Sequence, residues 1–176
     1  VQDAITNKKP IVALESTLIS HGLPYPENLN IALSSINAVR LKGSIPATIA
    51  IIEGKIKIGL NENDINILAK SKDIEKVSIH NLSISINNNT HAATTVASSI
   101  YLASLAGIKF FSTGGIGGVH LESEKTFDVS SDLNQLSKTK MNVICSGAKS
   151  ILDISKTYEH LETLGIPRIG YNTKYM

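Results

Sequence analysis

The chain has 176 residues, of which 42% are hydrophobic and 18% charged, with a net charge of +2, the profile of one globular domain with a real core. With 5% aromatic residues, no tryptophan and no basic stretch interleaved with aromatics, a base-stacking nucleic-acid surface is not expected. No apolar run approaches the ~20 residues of a membrane span, and the opening VQDAITNKKP has no signal-peptide core, so a cytosol-like, cytoplasmic setting without a membrane partner is the expectation.

Along the chain, Ile11-Val12-Ala13-Leu14 reads as a short buried strand. HGLPYPEN is a loop, and Leu29, Leu33, Ile36 and Val39 then recur at helical spacing up to Gly43. ATIAIIEGKIKIGL reads as two strands about Glu53-Gly54. Asn63 is positioned to cap a helix through Lys70, Val77-Ser78 suggests a short strand, and residues 87–90 a loop. A helix is expected from Thr94 to Leu105, a strand running into glycines at IKFFSTGGIGG, and a short helix from Ser130 to Ser137. Residues 141–145 read as a strand, 149–164 as a helix and 168–171 as a last strand. Strands alternating with helices predict an α/β domain over residues 1–176, a three-layer α/β/α sandwich with a mostly parallel central sheet. A strand placed at the very end of the sequence lacks covering elements, so the layering is expected to be incomplete at the C-terminus, through truncation or a covering partner. The single cysteine, Cys145, sits in an apolar run and is expected to be a buried, inert thiol. Asn81-Leu82-Ser83 and Asn88-Asn89-Thr90 fit the glycosylation pattern by chance in an Asn-rich chain.

Ligands of such sheets sit beyond the carboxyl ends of the strands, where Glu15, Thr113-Gly114-Gly115 and Lys149 are expected. STGGIGGVH fails the dinucleotide fingerprint because His120 stands where a third small residue is required. Gly147-Ala148-Lys149-Ser150 fails the P-loop pattern, since an alanine separates glycine from lysine. Two readings of the glycines stay open: a tight turn with φ > 0, or close approach of backbone N–H groups to an anion. The histidines 21, 80, 91, 120 and 160 show no zinc spacing; His160 reads as solvated and His120, after the glycines, as a candidate ligand contact. Asp128 and Asp132 flank Ser130-Ser131. One is expected to help cap the short helix, leaving the other for a hard cation. Lys149, placed at a helix N-terminus and partly buried, would be pushed toward the neutral amine, a nucleophile for a carbonyl or masked aldehyde. The alternative is a lysine whose stem packs while its charge reaches water.

Several stretches in register carry a resemblance: VALESTLISHGLPYPEN, PATIAIIEGKIKIGL, ATTVASS, STGGIGGVH, TFDVSSDLNQL and ICSGAKSILD, followed by LETLGIPRIGY. Together they resemble the pseudouridine-5′-phosphate glycosidase family, also called indigoidine synthase A-like, over nearly the whole chain. The resemblance implies an α/β/α sandwich, a trimeric assembly (a homotrimer), and a divalent metal, typically manganese. The implied reaction is reversible cleavage of pseudouridine 5′-phosphate with water to uracil and ribose 5-phosphate. By motif, it implies Lys149 in SGAKS as nucleophile and Glu15 in ALEST as proton donor. Asp128 in TFDVS would hold the metal, and Ser130, Ser131 and Asp132 would contact substrate. Lys76 in EKVS would bind phosphate, with Val96 and Thr95 of ATTVA as further contacts. Ile79-His80-Asn81 departs from the family's Arg-Asp, Asn89-Thr90-His91-Ala92 replaces a glycine-containing turn, and Leu121-Glu122-Ser123 also differs. The family continues past position 176, so an N-terminal portion is implied. The competing reading is a non-catalytic sugar-phosphate-binding or assembly subunit of the same fold.

Overall fold

A computed structural model describes residues 1–173 of the chain. A short helix, α1 (Gln2–Thr6), leads into β1 (Ile11–Leu14), the strand expected from IVAL. Both faces of β1 are covered: Ala13 joins one buried cluster and Leu14 another. That double burial is why the run is apolar without alternation. Next come α2 (Thr17–His21) and α3 (Glu27–Leu41), and the chain turns out of α3 at Gly43, whose φ is 77°. β2 (Ile45–Ile52) and β3 (Lys55–Ile58) form the expected hairpin; Glu53 and Gly54, with φ of 52° and 67°, make its two-residue turn.

α4 (Glu62–Lys70) begins earlier than Asn63 suggests. Asn61 caps it, accepting from the Asp64 N–H at 2.9 Å, while the Asp64 carboxylate accepts from the Asn61 N–H at 3.2 Å. This reciprocal pair satisfies two end donors at once, which a cap at Asn63 could not match. β4 (Glu75–Val77), a 3₁₀ turn (Ile79–Asn81), α5 (Leu82–Asn87), β5 (Ala92–Thr94) and α6 (Val96–Leu105) follow. The helix expected from Thr94 thus begins at Val96, because Ala92-Ala93-Thr94 pair with β2 and β4 and Thr95 caps the helix. β6 (Phe110–Ser112), α7 (Ser123–Thr126), α8 (Ser131–Lys138), β7 (Asn142–Ile144) and α9 (Ile154–Thr163) complete the order.

The sheet runs β4-β5-β2-β1-β6-β7, with β3 also paired to β2. β1–β2, β1–β6, β6–β7 and β4–β5 are parallel, and β2–β3 and β2–β5 antiparallel. The long β2 organises this mixture. Its first half, Ile45–Thr48, pairs with β1. Its second half pairs with β3 and, through Ala50 and Ile51, with β5, which runs the opposite way. The carboxyl ends of β1 and β5 therefore meet midway along β2, where the Ser16 N–H bonds the Thr94 carbonyl at 3.3 Å.

Helices cover both faces. Ile100, Leu133 and Leu161 of α6, α8 and α9 pack with Ile49 and Phe111 on one side. Ile19, Ile36, Ile65 and Leu68 of α2, α3 and α4 pack with Ala50 and Ile52 on the other. This is the expected three-layer α/β/α arrangement on a mostly parallel sheet. Among the described residues no helix is long and apolar enough to cross a membrane.

Three expectations fail near the C-terminal end. Residues 168–171 form no strand; Ile169 and Tyr171 are exposed, and the Arg168 guanidinium lies 5.1 Å from the Tyr158 ring centroid instead. The helix expected over 149–164 begins only at Ile154, capped by Asp153, whose carboxylate accepts from the Lys156 N–H at 3.0 Å. Cys145 is exposed rather than buried. It leaves the sheet from β7, at one end of the strand order, whose Ile144 is itself 54% exposed.

Candidate active site

Register places Leu14 beside Ser112 and Ser112 beside Ile144. The next residues, Glu15, Thr113 and Cys145, therefore leave β1, β6 and β7 together at the carboxyl end of the sheet, where such folds bind ligands. Glu15 is only 9% exposed. Its two carboxyl oxygens accept hydrogen bonds from two hydroxyls, one from Thr17 and one from Thr113. Thr17 opens α2 directly after the strand, so the Glu-Ser-Thr order itself supplies one donor and the parallel register supplies the other. The sequence reading singled out Glu15 and Thr113; it missed Thr17, for which the Glu-x-Thr spacing was the available signal.

Beyond the strands, two segments run side by side. The Thr113 N–H bonds the Ile144 carbonyl at 3.0 Å and the Ser146 N–H the Gly114 carbonyl at 3.2 Å. The Ile116 N–H bonds the Gly147 carbonyl at 3.0 Å, and the Lys149 N–H bonds the Ile116 carbonyl at 3.1 Å. Lys149 is thus held by the glycine loop, exposed, and five residues before α9, not at a helix N-terminus. The helix-end reason for a neutral amine falls away, because Asp153, not the Ser146–Ser150 turn, caps α9.

None of the four loop glycines has a positive φ, so the turn reading of Gly114, Gly115, Gly117 and Gly118 fails. Three of them admit close neighbours. A Cβ on Gly115 would stand 3.3 Å from Lys149 Cγ, one on Gly117 2.6 Å from Ser130 Cβ, and one on Gly118 2.5 Å from Thr157 Oγ1. The lysine stem therefore lies against Gly115, whose carbonyl is 3.5 Å from the Thr113 hydroxyl that holds Glu15. Glu15 and the Lys149 stem thus both touch the Thr113–Gly115 segment. Cavities of about 270 Å³, between α3, β2 and α4, and about 450 Å³, beside α7 and α9, are lined by neither residue.

On the other side of Glu15 lies the head-to-head junction of β1 and β5. Ser16 and Thr94 hydroxyls both donate to the Ile49 carbonyl at 2.6 Å, and Ser99 donates to the Thr94 hydroxyl at 2.8 Å. This buried knot fixes the start of α6. Thr95 caps that helix, accepting from the Ser98 N–H at 3.5 Å, and Val96 is its first residue. The Ser98 hydroxyl donates to the Val77 carbonyl at 2.7 Å, and Ser78 and Ser131 hydroxyls lie 2.7 Å apart. Lys76 is exposed on β4 beside Ala93. Burial first, and then the Lys76 charge, push the His21 imidazole below its ordinary value against an opposing backbone hydrogen bond at Ile74. His21 and Lys76 therefore share this rim, a neighbour the sequence reading did not assign. At the departure Ile79-His80-Asn81, the Asn81 side chain accepts from the Ser78 N–H at 2.9 Å and donates to the Lys76 carbonyl at 3.2 Å. Asn81 thus closes the turn after β4.

The third group lies on 118–132. The Ser130 N–H bonds the Gly118 carbonyl at 2.9 Å and the His120 N–H the Asp128 carbonyl at 3.0 Å. Ser130 itself caps α8, accepting from the Asp132 N–H at 3.2 Å, so neither aspartate does so. Asp132 is buried, and its carboxylate accepts from the Ala97 and Gly117 N–H groups, both at 2.8 Å. Asp128 is exposed, with one oxygen 3.7 Å from His120 Nδ1. Among the described residues no group of three or more His, Cys, Asp or Glu side chains could hold a metal. A single open carboxylate does not form a protein cage, but it fits a hard divalent ion that keeps several waters.

A family model described as indigoidine synthase A like protein matches residues 1–176. The chain belongs to that family. It is 58% identical over 173 residues to a pseudouridine-5′-phosphate glycosidase of Staphylococcus aureus (strain MW2), covering 98% of this chain and 56% of the relative. It is 53% identical over 175 residues to the protein of the same name from Escherichia coli (strain K12), covering 99% and 56%. The chain thus spans just over half the length of these curated relatives. Among solved structures, the prealnumycin C-glycosynthase AlnA in complex with ribulose 5-phosphate superposes with a TM-score of 0.86 at 44% identity, over 94% of this chain and 53% of that one. An indigoidine synthase A-like protein of Thermotoga maritima gives 0.84 at 38% identity, over 90% and 53%. The indigoidine synthase A-like fold accounts for the shared sheet.

Proposed function

We propose that the protein to which this chain belongs is a C-glycosidase that cleaves pseudouridine 5′-phosphate with water to uracil and ribose 5-phosphate, reversibly. The observation that carries the reading is that one short segment, Thr113–Gly115, touches both a buried carboxyl, Glu15, through the Thr113 hydroxyl, and the stem of Lys149 at Gly115. The names of the relatives and the sugar phosphate named with AlnA support the substrate class.

The leaving atom of a C-glycoside is carbon, so the reaction needs an acid for the base and an electron sink at the sugar. A lysine attacks carbon only as the free amine. The reaction needs Lys149 as the free amine and Glu15 as the loaded acid. The amine bonds to C1 of the sugar as the C1–O4′ bond breaks, and the proton the nitrogen gives up goes to the released ring oxygen. The C1–C5 bond to uracil then breaks, its electron pair stays with the uracil carbon, and Glu15 supplies the proton there. Water adds to the resulting lysine imine, the nitrogen leaves, and ribose 5-phosphate departs as the aldehyde. Lys76, Thr95 and the Val96 N–H at the start of α6 receive the phosphate. His120, Ser130 and Ser131 line the sugar side. Asp128 would hold manganese with waters, where the ion would neutralise developing negative charge. The assembly is proposed as a homotrimer in the cytoplasm.

The test follows free uracil on incubating the full-length protein with pseudouridine 5′-phosphate and manganese. Borohydride should trap ribose 5-phosphate on Lys149, and Lys149→Ala should abolish both signals. The exposure of Lys149 favours one rival, a binding or assembly subunit of the same fold. Saturable sugar-phosphate binding without uracil release or adduct in the wild type would establish that rival.

A further inference from the structure

The first turn of α9 takes both backbone groups of Val119. The Val119 N–H donates to the Thr157 hydroxyl at 2.9 Å, and the Val119 carbonyl accepts from the Asp153 N–H, also at 2.9 Å. The Thr157 hydroxyl in turn donates to the Asp153 carbonyl at 2.7 Å. Thr157 is fully buried and Val119 only 5% exposed. The approach is close: a Cβ on Gly118 would stand 2.5 Å from Thr157 Oγ1 and 2.6 Å from its Cγ2. Val119 is also the middle of a short antiparallel pairing. It faces Val129, the His120 N–H bonds the Asp128 carbonyl at 3.0 Å, and the Ser130 N–H bonds the Gly118 carbonyl at 2.9 Å. At the open end of that pairing one Asp128 carboxylate oxygen lies 3.7 Å from His120 Nδ1. The connecting residues 121–127 give little anchorage of their own. Leu121 and Phe127 are exposed, and Glu122 and Phe127 sit at φ of 58° and 57°, where side-chain-bearing residues are uncommon. The ion pairs there, Glu122–Lys125 and Glu124–Lys156, join exposed side chains and hold weakly. Asp128 is therefore placed from the Val119 side, and Val119 by α9. The same turn of α9 follows the lysine segment directly, where the Leu152 N–H bonds the Lys149 carbonyl at 3.0 Å.

We infer that Thr157 is a positioning residue for the Asp128–His120 end of this pairing: its hydroxyl sets where the Asp128 carboxylate stands relative to Lys149. The inference rests on the reading proposed above, in which Asp128 holds manganese with waters and Lys149 attacks the sugar. An ion held by one protein carboxylate has no second protein ligand to correct a misplacement, so the backbone behind that carboxylate fixes its place. Groups that orient a metal ligand in this way are worth about 10–100-fold in metal affinity. Thr157→Val keeps the shape of the side chain but removes the acceptor of the Val119 N–H, leaving a buried donor unmet. Thr157→Ser keeps the hydroxyl.

In the full-length protein, manganese is titrated while the paramagnetic resonance signal of the free ion is followed. Thr157→Val should bind the ion at least about tenfold more weakly, and Thr157→Ser within about threefold of wild type. Gly118→Ala, which pushes the same joint apart from the other side, should weaken binding like Thr157→Val. Ile65→Ala, which loosens the core on the other face of the sheet, should keep the wild-type constant at a temperature where it stays folded. A wild-type constant in Thr157→Val or Gly118→Ala, or an equal weakening in Thr157→Ser or Ile65→Ala, overturns the inference. Amide hydrogen exchange reads the same joint without metal. The Val119, His120 and Ser130 amides should be protected in the wild type, and Thr157→Val should speed exchange at His120 and Ser130 about tenfold relative to the Ile100 amide of α6, the worth of roughly one hydrogen bond. Wild-type amides at these three positions exchanging like an open loop overturn the inference whether or not any variant folds. A wild type that shows this protection, and its loss in Thr157→Val, but binds no manganese refutes the ion at Asp128 and leaves the positioning by Thr157 standing.

Discussion

Glu15 and the Lys149 stem both meet the Thr113–Gly115 segment but are held in opposite ways. The acid is buried, and both its oxygens are engaged by hydroxyls that two parallel strands and the start of α2 bring to it. The amine is fixed only through its backbone and stem; its head reaches solvent, on a segment with neither helix nor strand structure. The acid half is thus organised by the sheet core, where each donor has one place to be. The amine half is organised by a loop pinned at Ile116 and Gly117, which leaves the head free to meet a carbonyl carbon. Substitutions should therefore separate the two halves.

The largest contrast is at Lys149 itself. Lys149→Arg should remove uracil release and adduct entirely, since a guanidinium forms no imine, while urea-unfolding stability stays within about 0.5 kcal/mol because the side chain is exposed. On the core side, Phe111→Ala, at a fully buried β6 position between β1 and β7, should cost about 3–5 kcal/mol in the same measurement. Equal stability losses at positions 149 and 111 would erase the distinction. Thr113→Val should cost about 1–3 kcal/mol, by leaving a buried Glu15 oxygen without its donor, and should slow uracil release. Ile144→Ala, one strand away but half exposed, should change stability by no more than about 0.5 kcal/mol.

The smallest expected effect is at the Lys76 rim. Burial and the Lys76 charge lower the pKa of folded His21 below the ordinary imidazole value of 6.5. The unfolded chain then takes up the proton first as pH falls. The contribution of neutral His21 is complete above about pH 6.5 and is lost as pH drops through the folded value. His21→Gln should flatten that part of the stability–pH curve; an unchanged curve would remove His21 from the rim.

Legibility in the sequence followed how local the deciding contacts are. β1, the Glu53-Gly54 hairpin and the body of α3 were readable because burial and turn chemistry act on adjacent residues. Asn61 was missed as the cap of α4 because a capping box is chosen by Asp64, three residues on. β5 was not expected, and its last residue Thr94 was taken into the following helix, because three small residues carry no period of their own; only pairing with β2 and β4 makes them a strand. Lys149 was assigned to a helix end by apolar spacing, while the hydrogen bonds that place it run to Ile116. Asp132 looked like a cap because its two amide partners lie 35 and 15 residues away.

The sequence by itself determined the layered α/β class, the family, and which residue types gather at the strand ends, because burial periodicity and motif order are properties of the chain. Tertiary structure alone decided that β1 and β5 meet head to head on β2, that the loop glycines make room for Lys149, Ser130 and Thr157, and that Asp132 joins α6 to the lysine loop. Those facts depend on strand direction and on contacts between distant segments, and neither is encoded in the spacing of neighbouring residues.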